Sequence, residues 1–326
     1  MKVLTDLTQR VSAGLATGEQ HYEIGINTEP LFACQDWLPL GNASASSGRR
    51  SAANLQPEFG QSGSGLAASR NNPLILDQFT LGGKTALVTG ASAGLGAAMA
   101  IALAEAGADV ISHGNSRSPQ ETCQQVEKLG RRASGIQADL SKPGAAEHLF
   151  AVAQQIGSVD IVVNNAGIIR RAKSVDYNDQ DWMAVLQVNL NSLWKLCQAA
   201  GRSFLSRGSG GKIINVASLL AFQGGITVPA YAASKGAVVQ LTKALANEWA
   251  AQGVNVNAIA PGYMRTDNTA ALQRDKVRNR QILERIPAAR WGEPNDIGGA
   301  AVFLASAASD YIHGHVLVVD GGWMCR

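Results

Sequence analysis

Tyr231 and Lys235 stand four residues apart in Tyr231-Ala232-Ala233-Ser234-Lys235, and Ser218 precedes them at the end of an apolar run. On a helix that spacing stacks two side chains one turn apart on the same face. A free tyrosine titrates near about 10, too high for acid/base work at neutral pH, and an ammonium group alongside favours the phenolate and lowers that value. The chemistry expected is proton transfer by Tyr231 to or from a substrate oxygen held by Ser218, coupled to a hydride step. Taken singly, each residue has a plainer explanation: the Tyr/Lys pair as a surface contact, the serine as a turn or cap.

A hydride step needs a carrier. The run Thr89-Gly90-Ala91-Ser92-Ala93-Gly94-Leu95-Gly96 leads from a β-branched stretch into an Ala-rich one. Glycines there let the backbone turn sharply and approach a pyrophosphate, and free N–H groups at a helix start attract its charge. The spacing is G-x-x-x-G-x-G rather than G-x-G-x-x-G, and small residues at such a turn also serve plain packing. The next strand ends in Ser112-His113-Gly114-Asn115-Ser116-Arg117 without a carboxylate for the ribose hydroxyls. Arg117, or His113 if protonated, could face a 2′-phosphate, which leans toward NADP; a solvent-facing Arg117 fits equally well. The cofactor is therefore read as NAD or NADP.

The elements that must position these groups follow from Lys84 onward, where short β-branched runs alternate with longer Ala/Leu-rich stretches, the pattern of βαβ units. Strands are expected at 85–89, 108–112, 133–137, 160–164, 212–216, 254–259 and 315–319, and helices at 94–106, 118–130, 143–156, 179–206, 229–252 and 294–307. The fold class expected is α/β: a single doubly wound Rossmann domain over 79–326, its seven-stranded parallel sheet flanked by helices. Residues 1–72 are rich in Ser, Gly, Asn and Ala toward their end, carry nearly balanced charge and lack periodicity; they read as a disordered N-terminal extension rather than a second domain. Acidic residues near its start, Asp6 and Glu19 among them, argue against a transit peptide.

Bulk properties exclude several classes. A net charge of +3 without basic runs interleaved with aromatics argues against nucleic acid. No apolar run reaches the roughly 20 residues of a membrane span. Cys34, Cys123, Cys197 and Cys325 have neither zinc-site spacing nor the density of a disulfide scaffold, so no metal is expected and a reducing cytoplasm is the default.

Taken together with Asn164-Asn165-Ala166-Gly167 after the fourth strand and Pro261-Gly262 after the sixth, these residues resemble the short-chain dehydrogenase/reductase family over nearly all of 79–326. The resemblance implies that Gly90, Gly94 and Gly96 line the pyrophosphate, Asp139 contacts adenine, Asn164 shapes the cofactor pocket and Thr266 lies near the nicotinamide. Ser92, Leu95, Arg117, Leu140, Asn165, Ala166, Gly167, Pro261 and Gly262, with Tyr231 and Lys235, complete the implied cofactor contacts. Asn189 joins Ser218, Tyr231 and Lys235 as a catalytic residue that holds a water in a relay through Lys235. The strings Gly167-Ile168-Ile169-Arg170-Arg171, Ala221-Phe222-Gln223-Gly224-Gly225 and Asp320-Gly321-Gly322-Trp323 resemble the branch acting on hexonate sugar acids in hexuronate and pectin breakdown. Arg170 or Arg171, with Arg170 preferred, would then bind the substrate carboxylate, and Ser218, Gln223 and Tyr231 the rest. Other short-chain reductases, of unsaturated-uronate products, gluconate or 3-oxoacyl carrier protein, share this chemistry, and a non-catalytic nucleotide-binding regulator would share the fold. The family's habit of pairing long helices implies a homotetramer.

Overall fold

A computed structural model of the protein describes residues 74–326; the extension read for residues 1–72 lies outside them. Seven short apolar segments pair side by side, all parallel, in the order β3-β2-β1-β4-β5-β6-β7. They are β1 (Thr85–Val88), β2 (Asp109–Gly114), β3 (Ala133–Gln137), β4 (Ile161–Asn164), β5 (Gly211–Val216), β6 (Val254–Pro261) and β7 (Val316–Val319). The expected strands are present in order, as one doubly wound α/β domain.

Parallel strands need crossovers, and both faces of the sheet are consequently covered. Successive side chains of β1 point to opposite faces. Leu87 joins a core built with α3 (Ala145–Ile156), α5 (Ser192–Arg207) and α6 (Pro229–Trp249). Ala86 and Val88 join the other core, with α1 (Gly94–Glu105) and α9 (Gly298–Ala305). Ala and Gly let the helices approach closely: a Cβ at Gly298 would stand 2.9 Å from the Cβ of Ala102. The remaining helices are α2 (Gln120–Lys128), α4 (Asp179–Leu186), α7 (Ala270–Arg274) and α8 (Lys276–Arg285).

The structure departs from expectation in two places. The helix expected over 179–206 is interrupted by a π-turn at Gln187–Asn191 between α4 and α5, a widened turn of the kind found at functional sites. Helices α7 and α8 were not expected at all, because Lys276–Arg285 is mostly charged and polar and buries Ile282 alone. They are held instead by a third cluster in which Ile282, Ile286, Trp291, Trp323 and Leu219 pack together. Among the described residues no helix is long and apolar enough to cross a membrane.

The α5–α6 contact is intolerant of added volume. A Cβ at Gly201 would lie 2.6 Å from the ring of Trp249, which is buried in the core. Gly201→Ala is expected to lower unfolding free energy by about 1–3 kcal/mol, the usual cost of overpacking; urea denaturation measures it, and an unchanged midpoint would contradict the packing described.

Candidate active site

Neighbouring strands β1 and β4 send the chain to opposite sides, so a crevice opens beyond their carboxyl ends, where open α/β sheets bind ligands. One residue closes its floor. Asn165, just past β4, donates through Nδ2 to the carbonyls of Thr89 (2.9 Å) and Gly90 (3.1 Å), while Thr89 Oγ1 accepts from the backbone N–H groups of Asn165 and Ala166 at 3.0 Å each. The glycine-rich turn is thereby tied to the end of β4.

The same turn is shaped for close backbone approach. Gly90 and Gly94 have φ of 65° and 59°, the left-handed region that side chains disfavour. A Cβ at Gly96 would collide with the Gly90 carbonyl and with Asn165 Nδ2. At the start of α1 the N-cap, Ala93, offers no side-chain acceptor, so the first N–H groups keep the donor capacity and positive end that suit a phosphate. Gly90, Gly94, Leu95, Gly96, Asn165, Ala166 and Gly167 line a cavity of about 300 Å³, with Pro261, Gly262 and Thr266 on its other wall. Backbone donors, small residues and an open helix start fit a dinucleotide pyrophosphate.

Ser218, Tyr231 and Lys235 line that cavity too. Ser218 follows β5, and its Oγ accepts from Leu220 N at 3.2 Å. Tyr231 lies in the first turn of α6, with Lys235 one turn on. Lys235 is 4% exposed; its Nζ donates to the Val216 carbonyl at 2.6 Å and lies 5.6 Å from the Tyr231 ring centroid. Burial pulls the Lys235 ammonium down to about 8. Burial also raises the Tyr231 phenol, opposed by a hydrogen bond with Ser218 and by the positive charge of Arg171. The spacing of four predicts a phenol drawn below its usual range by the lysine; in the folded chain desolvation dominates instead, and the opposing charge comes from Arg171.

Asn189 is fully buried in the π-turn. Its Oδ1 accepts from Ile168 N at 2.8 Å, and Nδ2 donates to the Ile168 carbonyl at 2.9 Å and to Ser234 Oγ at 3.3 Å. It clamps the segment after β4 to α6 rather than lining the cavity. Asn164 likewise points away from the crevice: its Nδ2 bonds Asn215 Oδ1 at 2.9 Å, and Asn215 Nδ2 bonds Thr242 Oγ1 at 3.0 Å, a buried polar chain beneath the site. Pocket shaping belongs to Asn165.

At the far end of the crevice, Ser92 Oγ donates to the Arg117 carbonyl at 2.7 Å, folding the loop after β2 over the turn. Arg117 is exposed and paired with Glu121 at 3.0 Å. His113 cannot serve a phosphate. It is buried, its Nδ1 accepts from Gly90 N at 3.3 Å, its Nε2 meets the Ala138 carbonyl at 2.9 Å, and burial lowers its pKa, so it is neutral. Asp139 stands near the end of β3, its carboxyl held below the usual range by hydrogen bonds from Ser141. The Leu140 side chain is buried in the core.

Two residues expected at the substrate stand outside the lining of this cavity. Arg170 is turned to Asp181, its Nε 3.4 Å from the carboxylate, and does not line the cavity. Gln223 is engaged by Trp323 Nε1 at 3.3 Å and is also absent from the lining. Arg171 lies outside the lining as well, but its positive charge bears on Tyr231 and it has no ion-pair partner among the described residues. Its neighbour Ala172 donates to the carbonyl of Thr227 at 3.1 Å, a non-glycine residue with φ of 64°. Met264 and the turn Asp267–Thr269 also line the cavity; that they follow Pro261-Gly262 was the signal available for them.

A family described as Enoyl-(Acyl carrier protein) reductase matches residues 90–324. The 2-dehydro-3-deoxy-D-gluconate 5-dehydrogenase of Bacillus subtilis (strain 168) is 58% identical over 250 residues, covering 77% of this chain and 98% of that protein. Its namesake in Escherichia coli (strain K12) is 50% identical over 254 residues, covering 78% and 100%. Of solved structures, one from Agrobacterium tumefaciens with bound NADP, described provisionally as a 2-deoxy-D-gluconate 3-dehydrogenase, is 55% identical, with a TM-score of 0.73 over 76% of this chain and 99% of that one. A gluconate 5-dehydrogenase from Burkholderia cenocepacia J2315, in complex with NADP and tartrate, is 38% identical, with a TM-score of 0.72 over 77% and 99%. With the glycine turn, the Ser218, Tyr231 and Lys235 group and the seven-stranded sheet already in place, this chain belongs to the short-chain dehydrogenase/reductase family of NAD(P)-dependent oxidoreductases.

Proposed function

We propose that the protein interconverts a secondary alcohol and a ketone on a hexonate sugar acid, with 2-dehydro-3-deoxy-D-gluconate the first substrate to test and NADP(H) the preferred carrier. The observation that carries this reading is the convergence of Ser218, Tyr231 and Lys235 on the cavity that also holds the open start of α1, beside an arginine whose charge reaches Tyr231. The names of the relatives support the substrate class.

A bound nicotinamide supplies or accepts the hydride. Ser218 Oγ orients the substrate oxygen by hydrogen bonding. In the reducing direction Tyr231 Oη donates its proton to that oxygen, and in the oxidising direction it takes the proton back. A phenol raised by burial is a proton donor throughout neutral pH. Lys235, charged below about pH 8, stabilises the phenolate left behind. Asn189 spends both ends of its side-chain amide on Ile168 and Ser234, so its part in a proton relay falls to its backbone carbonyl, and its side chain positions the segment leading to Arg171.

Arg171 is the group assigned to the substrate carboxylate, because Arg170 already faces Asp181. The NADP preference rests on the end of β2, where residues 112–118 carry no carboxylate to repel a 2′-phosphate and where Arg117, held only by an exposed pair with Glu121, can exchange that partner for one. The NADP bound in the Agrobacterium and Burkholderia relatives supports the cofactor part. A homotetramer, a cytoplasmic location and a place in hexuronate and pectin breakdown belong to the same proposal.

Tyr231→Phe is expected to lower turnover about 100- to 10,000-fold while leaving cofactor affinity, followed by nicotinamide fluorescence, unchanged; retained turnover would refute the mechanism. Lys235 holds its proton below its folded pKa and loses it above, so ketone reduction should be flat at lower pH and fall as pH rises through about 8. A pH–rate profile rising across that value would contradict the role given to Lys235. In a sugar-acid screen followed by nicotinamide absorbance with both cofactors, NADP(H) should outperform NAD(H). On the substrate found, Arg171→Ala should raise KM about 10- to 100-fold, the worth of a charge-assisted hydrogen bond, while Arg170→Ala should have a far smaller effect; equal effects, or equal effects on a neutral ketone, would sink the assignment.

A further inference from the structure

Trp323 lies outside the catalytic cavity yet packs against residues of the segments that carry Ser218 and Pro261-Gly262. The indole is 5% exposed and packs in the cluster with Leu219, Ile282, Ile286 and Trp291. Leu219 adjoins Ser218. Tyr263, which follows Pro261-Gly262, stands 4.6 Å from the indole centroid and packs edge-on against Trp291 at 5.6 Å. From α8, the Arg285 guanidinium lies 4.1 Å from the indole centroid. The ring is itself fixed from below: Asp320 Oδ1 and Oδ2 accept from Gly322 N and Met324 N at 2.8 Å each. The Gly321 carbonyl accepts from Ala288 N at 3.0 Å, tying in the turn after α8.

The indole N–H has one direction of influence. It donates and cannot accept, so Gln223 must present Oε1 to it, as it does at 3.3 Å. Amide orientation follows: the NH₂ end is turned away from Trp323, and it makes no hydrogen bond among the described residues. A half-buried amide with a fixed oxygen and a free NH₂ is a preorganised donor for an oxygen-rich ligand. The loop from Ser218 to Gln223 is thereby held at both ends, by Leu219 in the cluster and by Gln223 on the indole.

We infer that Trp323 is a positioning residue for substrate recognition, locking the Gln223 amide with its NH₂ as a donor to a substrate hydroxyl or carboxylate and coupling the α7–α8 arm to the Ser218 segment. This rests on the sugar-acid reading of the site. It brings Gln223 to the substrate from outside the cofactor cavity and gives the indole N–H a part that an apolar ring could not take.

Two measurements test it. With the sugar acid found by the screen, Trp323→Phe, which keeps a ring but removes the N–H, should raise KM about 3- to 10-fold with kcat and the cofactor KM within about twofold of the parent. Gln223→Met should do the same, and the double variant should be no worse than either single one. Additive effects, or parallel losses in kcat and cofactor KM, would overturn the coupling. Independently of any substrate, fluorotryptophan labelling identifies the Trp323 signal by its loss in Trp323→Phe; that fluorine resonance should shift in Gln223→Met, and an unmoved signal would overturn the hydrogen bond on which the inference stands. Inactivity of the unaltered enzyme on every sugar acid would instead count against the substrate reading, leaving the fluorine result to decide the contact.

Discussion

Everything at this site depends on a joint made where two parallel strands part company. Strands β1 and β4 are neighbours, but the chain leaves them toward opposite ends of the sheet, and a gap opens in which backbone groups lose their ladder partners. Asn165 and Thr89 fill that gap by exchanging hydrogen bonds across it. Since the amide of Asn165 occupies the space beside Gly96, α1 starts against the turn with no room for a side chain between them. Closeness of backbone to ligand at the pyrophosphate end is thus a by-product of how the sheet is split.

The catalytic end is organised by a different solution to the same problem of buried polarity. Asn164, Asn215 and Thr242 bond one another beneath the crevice and link β4, β5 and α6. Just above them Lys235 bonds the terminal carbonyl group of β5, and Asn189 ties α6 to the segment after β4 through Ser234 and Ile168. Each of these groups would be costly if left unpaired in the interior. Although Asn164 Oδ1 is left without a partner, the bonds that are made fix the register of α6 on the sheet, and with it the distance from Tyr231 to Ser218. A helix with an apolar face alone would have greater freedom to slide.

Much of this was legible in the residues. The succession of seven strands along the chain, the glycine turn and the Tyr231–Lys235 face follow from apolar periodicity, from glycine's backbone freedom and from the helical spacing of four. What escaped does so for identifiable reasons. The charged α8 has too narrow an apolar stripe to register as periodic, since one residue, Ile282, anchors it. At the end of β4 two asparagines are adjacent, and which one turns outward depends on where the strand stops. Arg170 and Arg171 pose the same problem on a loop, settled by Asp181 from α4. The π-turn that swings Asn189 inward inserts a residue into an otherwise continuous helical pattern and leaves no compositional mark. Contacts such as Gln223 with Trp323 join residues a hundred positions apart, beyond the reach of any local rule.

Thr227 gives the junction between the loop after β4 and the loop before α6 a further property. A β-branched residue in the left-handed region carries strain of about 1–3 kcal/mol, and its carbonyl accepts the hydrogen bond from Ala172 that joins the Arg171 loop to the loop before α6. Breaking that bond frees Thr227 to relax into an ordinary conformation, so the cost of parting the loops is reduced by the strain released. Strain and hydrogen bond are thus set against each other where these two loops meet, whereas the joint between β1 and β4 carries its positive φ on glycines and stores no such strain.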